Sequence, residues 1–206
     1  MRGQRPGSRL AAGTSLATLS VMIAAIPQPA RADGFLATPT VQSGSVTFNR
    51  TPLNSETITL DSTRAVINWT PYDNTGTGDV VLQPTGNSTS FQAGSALISG
   101  GQNYVVLNRI IAADPSRRIY LDGLVQDLTG GNNGVFFYAP GGFLIGPNAT
   151  FNVSRLLLSA GDLTTDVSGE FFPGSNSFTV NGAADSQAAI NILPGAQFNA
   201  TAENSF

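Results

Sequence analysis

Two carboxylates five positions apart, Asp122 and Asp127, lie in the stretch RIYLDGLVQD, with Asp114 and the pair Arg117-Arg118 just upstream. Carboxylates held about 5–10 Å apart can cleave a glycosidic bond, one as acid and the other as nucleophile or base. Asp114 precedes a proline and Asp122 a glycine, and both are turn positions; a structural role outweighs a catalytic one. Asp162 and Asp166 in DLTTD offer oxygens to a hard cation such as calcium, without the glycine-rich repeats that would build such a site. TGGNNG (129–134) has the glycines of a phosphate-cradling loop but no following lysine or helix, so it reads as a turn. Asn-x-Ser/Thr sequons begin at Asn49, Asn68, Asn87, Asn148, Asn152 and Asn199. An Asn- and Thr-rich chain produces most of these by chance.

The 206 residues include no histidine and no cysteine. Catalytic triads and thiol nucleophiles that use them are excluded, as is a zinc site of the thiolate or imidazole kind. No catalytic residue, metal or cofactor is expected. Charged residues make up 11% of the chain, under half the usual share of about 25%. All ten basic residues are arginines, four of them within the first 32 positions, and all 13 acids come later. Residues 33–206 therefore carry six positive and 13 negative charges. That balance opposes nucleic-acid binding, which needs a basic stripe.

The elements that must position these residues begin after an address. Residues 1–9 are short and positive, 10–26 (LAAGTSLATLSVMIAAI) are apolar and uncharged, and Ala30-Arg31-Ala32 follows. This order is that of a secretory signal peptide, with small residues Ala30 and Ala32 marking cleavage after Ala32. A membrane anchor is the alternative, but Gly13, Thr14, Ser15, Thr18 and Ser20 dilute a stretch already short of about 20 apolar residues. The expected organisation is a leader over 1–32 and one domain over 33–206. Exported proteins often use disulfides; a chain without them has a sufficient core or must stay threadable through a pore.

Beyond the leader the chain reads as strands and turns. Runs such as SVTF (45–48), TITL (57–60), AVINW (65–69), YVVLNRII (104–111), GVFFYA (134–139), GFLIG (142–146), TFNV (150–153) and AINIL (189–193) have strand length and composition. Val46/Phe48, Ile58/Leu60, Phe178/Val180 and Ile190/Ile192 alternate, placing apolar side chains on one face. The expectation is an all-β fold. IGPNATFNV (145–153) aligns without gaps to ILPGAQFNA (192–200), 47 residues on. That offset is one long repeat or two of 23–24 residues, and such periods mark solenoids and propellers. Abundant Asn suits tight corners and can ladder between stacked turns. A stacked β-solenoid is favoured over a β-sandwich with Asn-rich loops.

Five words in order carry a resemblance: INW (67–69), VLNRI (106–110), DPSR (114–117), GFLIGPNATFNV (142–153) and LLLSAGDL (156–163). Together they resemble the N-terminal secretion domain of the filamentous haemagglutinin family, the exoproteins of bacterial two-partner secretion. The family's Asn-Pro-Asn-Gly is Gly146-Pro147-Asn148-Ala149 here. Its second Asn-Pro-Asn and its long repeat region are not found before Phe206, which suits a truncated or minimal member. The resemblance implies a right-handed single-stranded parallel β-helix with antiparallel capping strands at its N-terminal end. It implies export through the periplasm of a Gram-negative cell to its surface or beyond. The partner would be an outer-membrane β-barrel transporter whose periplasmic domains bind the unfolded exoprotein; a host or neighbouring cell surface is a further one. At about 23 residues per coil, 33–206 would make roughly seven coils.

The polar residues of these words are the candidate recognition and fold residues: Asn68, Trp69, Asn108, Arg109, Pro147 and Asn148. Two readings stand for them. One is geometry, with Pro147 fixing φ and Asn148 tolerating the next corner. The other is docking onto the partner's sheet edge, with Arg109 meeting an acidic rim. Trp69, the only tryptophan, is expected in the core. A polysaccharide-active or carbohydrate-binding secreted β-protein is the rival to the secretion domain.

Overall fold

The computed structural model describes residues 33–50, 53–73, 75–164, 179–182 and 187–201. The expected leader, with Ala30 and Ala32, and Asp166 of the calcium reading lie outside these residues. The opening strands are β1 (Ala37–Ser43), β2 (Val46–Asn49), β3 (Ser55–Leu60) and β4 (Arg64–Pro71). Alternation is plain in β3, where Glu56, Ile58 and Leu60 are buried and Ser55, Thr57 and Thr59 are not. β5 (Val80–Gln83) and β6 (Ser88–Ala93) lead through a short helix α1 (Ser95–Ser99) to β7 (Val105–Ile110), β8 (Ile119–Leu121) and β9 (Leu124–Asp127). β10 (Gly134–Tyr138), β11 (Gly142–Ile145), β12 (Thr150–Val153) and β13 (Arg155–Ser159) follow. The hairpin β14 (Asp162–Thr164) and β15 (Thr179–Asn181) precedes β16 (Ala189–Ile192) and β17 (Gln197–Ala200).

Among the described residues the chain is all-β apart from α1, and from β4 onward it visits three sheets in rotation. β4, β7, β10 and β13 lie side by side in the first sheet; β5, β8, β11 and β16 form the second; β6, β9, β12 and β17 belong to the third. Every pairing between successive circuits is parallel. Antiparallel pairing appears at the N-terminal end, where β1 joins β4 and β2 joins β3, and in the β14–β15 hairpin. β3 itself lies parallel to β6.

Four circuits can be traced among the described residues, against roughly seven expected. The circuits are not uniform in length. Val105 stands opposite Arg64, Gly134 opposite Val105, and Arg155 opposite Gly134, so successive steps shrink from 41 to 29 to 21 residues. Corner loops, α1 and the hairpin absorb residues without adding coils. The internal repeat spans one circuit: Ile145 pairs with Ile192, Phe151 with Phe198 and Asn152 with Asn199.

One core cluster draws on all three sheets, including Ile67, Trp69, Leu82, Phe91, Val106, Phe137, Phe143 and Phe151. Fully burying one such side chain contributes about 1.5–3 kcal/mol. Phe35 inserts into this core, meeting Trp69 edge-on at 5.1 Å and Phe137 at 6.0 Å. The first sheet is apolar on its other face as well, where Val66, Val105, Leu107 and Phe136 pack with Leu163 of β14. Two buried faces explain the unbroken run YVVL, since such strands need not alternate. At the far end β16 and β17 are exposed along their length, with Ile192 at 55% and Phe198 at 41%.

Candidate functional site

Asn108 sits mid-strand in β7 between inward-facing Val106 and Ile110 and is fully buried. Its Oδ1 accepts a hydrogen bond from Trp69 Nε1 at 3.0 Å, and its Nδ2 donates to the Phe136 carbonyl at 3.2 Å. One amide thus ties β4, β7 and β10, three successive circuits. A buried amide satisfied only in one alignment fixes register, because a slip strands its partners without water. Trp69 is in the core, as its composition suggested, and Asn108 is its partner. Asn68 is half-buried on the first sheet's other face, opposite Arg109. Arg109 pairs with Asp162 at 3.1 Å and donates to the Leu163 carbonyl at 3.4 Å. It holds β14 over the second apolar cluster, so the acidic group it meets is its own chain's.

Pro147 and Asn148 form the corner between β11 and β12. Asn148 donates to Asp122 twice, from its backbone N–H at 2.8 Å and from Nδ2 at 3.1 Å. The Thr85 hydroxyl donates to the same carboxylate. Gln83, Leu121, Ile145 and Ile192 are in register, so the corners that follow them stack, and Asp122 links three. Burial pushes the Asp122 carboxyl up, but hydrogen bonds from Thr85, Asn148 and Tyr120 outweigh it and hold the group below the ordinary range. Gly146 has a reason here too. A Cβ at that position would lie 2.1 Å from Asp122 Oδ1, so a larger residue there would displace this carboxylate from its corner.

Asp122, in the corner before β9, and Asp127, at the end of β9, are each engaged by hydrogen bonds from their own chain. Asp127 accepts from Tyr104 at 2.9 Å and from Asn133 Nδ2 at 3.0 Å. Burial, with the Asp127 charge and hydrogen bond, pushes the Tyr104 hydroxyl up, keeping it a donor. Asp114 caps its own turn by accepting from the Ser116 N–H at 2.9 Å and hydroxyl at 2.6 Å. Arg117 and Arg118 line an open groove of about 390 Å³ with Thr77, Asp79 and Asp114. Arg117 donates to the Gly78 carbonyl at 2.7 Å and to Asp73 at 2.8 Å, and Arg118 grips Asp79 with two bonds of 2.9 and 3.0 Å. These arginines staple neighbouring loops. The described residues hold no group of three or more acids that could bind a metal.

Sequence reasoning missed a buried ionic cluster under the N-terminal strands. Glu56 is fully buried; its Oε1 accepts from the Phe35 N–H at 2.7 Å and the Thr89 hydroxyl at 3.1 Å. Arg50 pairs with Glu56 at 3.0 Å and Asp33 at 3.3 Å, over the Trp69 ring at 5.4 Å. Asp33 also accepts from the Tyr72 hydroxyl, and its carbonyl accepts from Asn87 at 3.0 Å. Burial raises the Glu56 carboxyl above its ordinary value, with Arg50 and its hydrogen bonds offsetting part of the shift. A signal was present: in SETITL the alternation puts Glu56 on the face of Ile58 and Leu60. No family model matches the chain, and no curated protein matches it significantly.

Proposed function

We propose that the chain is the N-terminal secretion domain of an exoprotein of the two-partner kind, an adhesin, similar to the filamentous haemagglutinin family. On this reading it is a right-handed parallel β-helix capped by β1–β3. Residues 1–32 are its cleaved leader, an outer-membrane β-barrel transporter with periplasmic domains is its partner, and its destination is the cell surface or the medium. The observation that carries the reading is the polarity of the coil. Parallel circuits are closed at the N-terminal end by antiparallel strands and a buried ionic cluster, and the last circuit is exposed. A chain emerging N-terminus first forms the closed end first, then adds circuits one at a time. Each circuit buries apolar area at about 25 cal/mol per Å², which disfavours sliding back without nucleotide hydrolysis. The chain has no disulfide to obstruct threading.

The domain is not read as an enzyme, since Asp122 and Asp127 are spent on structure. Unfolded 33–206, offered to the periplasmic domains of an outer-membrane barrel transporter of the two-partner kind, tests the proposal. Retention of the unfolded chain and loss of retention once folded are expected. A wild-type chain with no affinity for such domains would overturn the assignment.

A further inference from the structure

The outward face of the third sheet carries no charge. Its central column runs Asn49, Thr57, Ser90, Gln126, Asn152 and Asn199, one residue from each of six strands in register; Asn49, Asn152 and Asn199 are exposed, Thr57 and Gln126 are half-buried, and Ser90 is covered by its neighbours at 6% exposure. The flanking outward positions are serine, threonine, glutamine and one leucine. Glu56 and Asp127, the only charged residues in these strands, take the parity of the core residues Ile58 and Val125. Neighbouring side chains on the outward face are bonded to one another. Gln126 Nε2 donates to Ser90 Oγ at 2.9 Å, Asn199 Nδ2 to Asn152 Oδ1 at 2.7 Å, and Gln92 Nε2 to Thr59 Oγ1 at 3.0 Å.

We propose that this face binds a neutral, linear polysaccharide laid along the column, across the strands. A charge-free face offers nothing to an anionic or cationic polymer, whereas hydroxyls and amides match a sugar chain that presents both donors and acceptors. A primary amide donates twice and accepts at its oxygen, so an amide bridging to its neighbour keeps donor and acceptor capacity for a ligand. The ladder also fixes those side chains beforehand, which lowers the entropy cost of binding. Dimensions select the occupant. Six strands about 4.8 Å apart and roughly four residues wide make a strip of about 24 by 13 Å. That is about 300 Å², well short of the roughly 800 Å² per partner of a stable protein interface. A single glycan needs only a narrow strip, and the strand spacing is close to the advance of one pyranose ring along an extended chain, so similar contacts recur.

The test is retardation of the purified folded protein in native gels cast with soluble neutral glycans (hydroxyethylcellulose, mixed-linkage β-glucan, dextran) or with heparin. Retardation by at least one neutral extended glucan, unchanged from low to high salt, is expected. Gln126→Glu and Asn152→Asp place charge on the column with little change of shape, and each should weaken retention about tenfold. Asn191→Asp, on the second sheet, should bind as wild type, with far-UV spectra and melting curves verifying that all three fold. Absence of retardation by every neutral glycan overturns the proposal. So does retention by heparin alone that salt abolishes, or equal retention of the column variants. Self-association that Gln126→Glu and Asn152→Asp abolish, without glycan binding, assigns the face to a second copy instead.

Discussion

A fully buried asparagine gains little as a hydrogen-bonded group but is expensive to remove, because its partners are then left dry. Asn108→Ala should therefore cost about 2–4 kcal/mol, from an unpaired Trp69 N–H and a cavity between circuits. Chemical denaturation measures it. The same variant, unfolded, should bind the transporter's periplasmic domains as wild type does; weakened binding of the unfolded chain would restore the docking role for this residue. Asp122 gives a pH signature. Its carboxyl is held below its ordinary value of 3.8. A depressed folded value means that its contribution is complete above pH 3.8 and is lost as pH falls through the lowered value. Acid melts of Asp122→Asn should therefore fall less steeply below pH 3.8 than those of wild type, and parallel curves would refute the linkage. Glu56 has the opposite sign, since its folded value lies above 4.5. Its contribution is complete below pH 4.5 and is lost as pH rises through the raised value.

Strands were legible wherever one face meets core and the other meets water. TITL and TFNV alternate, and Ile58 and Leu60 face inward as the pattern names them. The exposed last strands escape only the burial half of that reading. VVLNRI was legible as a strand but not as to facing, because both of its sides are buried and period two disappears. That is why a docking role for Asn108 stood beside the favoured geometric one. Coil length was not legible at all: corners and excursions have no periodicity, so a mean spacing overcounted circuits. The stacked corners were visible only as separate Gly and Asn words; what joins them is a carboxylate assigned to a turn. Contacts at Gly142 make one element-scale prediction. Its φ is +81°, and a Cβ would lie 2.2 Å from the Ala189 carbonyl. Gly142→Ala should detach β16 and β17 from β11 and β12, seen as faster amide exchange over 189–200 with protection retained over 105–127. Unchanged exchange in the last circuit would show that the close approach is relieved elsewhere.

At the scale of the molecule, stability should be graded along the coil axis. The antiparallel strands and the Asp33–Arg50–Glu56 cluster anchor one end, and β16 and β17 expose Ile190, Ile192 and Phe198 at the other. Exposed strand edges with apolar residues template association, so purified 33–206 should self-associate at raised concentration, read by sedimentation. A monomer at all concentrations would mean that this end is protected. Asp33 is 6% exposed, and mass spectrometry of the exported product should find it as the first residue. The parallel circuits also have a mechanical meaning. Tension applied along the coil axis runs perpendicular to the strands, so it loads their hydrogen bonds a few at a time, as in a zipper, rather than all together in shear. The coil should yield at low force and from its C-terminal end, one circuit per event. The 29-residue step from Val105 to Gly134 would release about 100 Å of extended chain. A tethered domain of this build would therefore pay out length under load in steps set by the circuits.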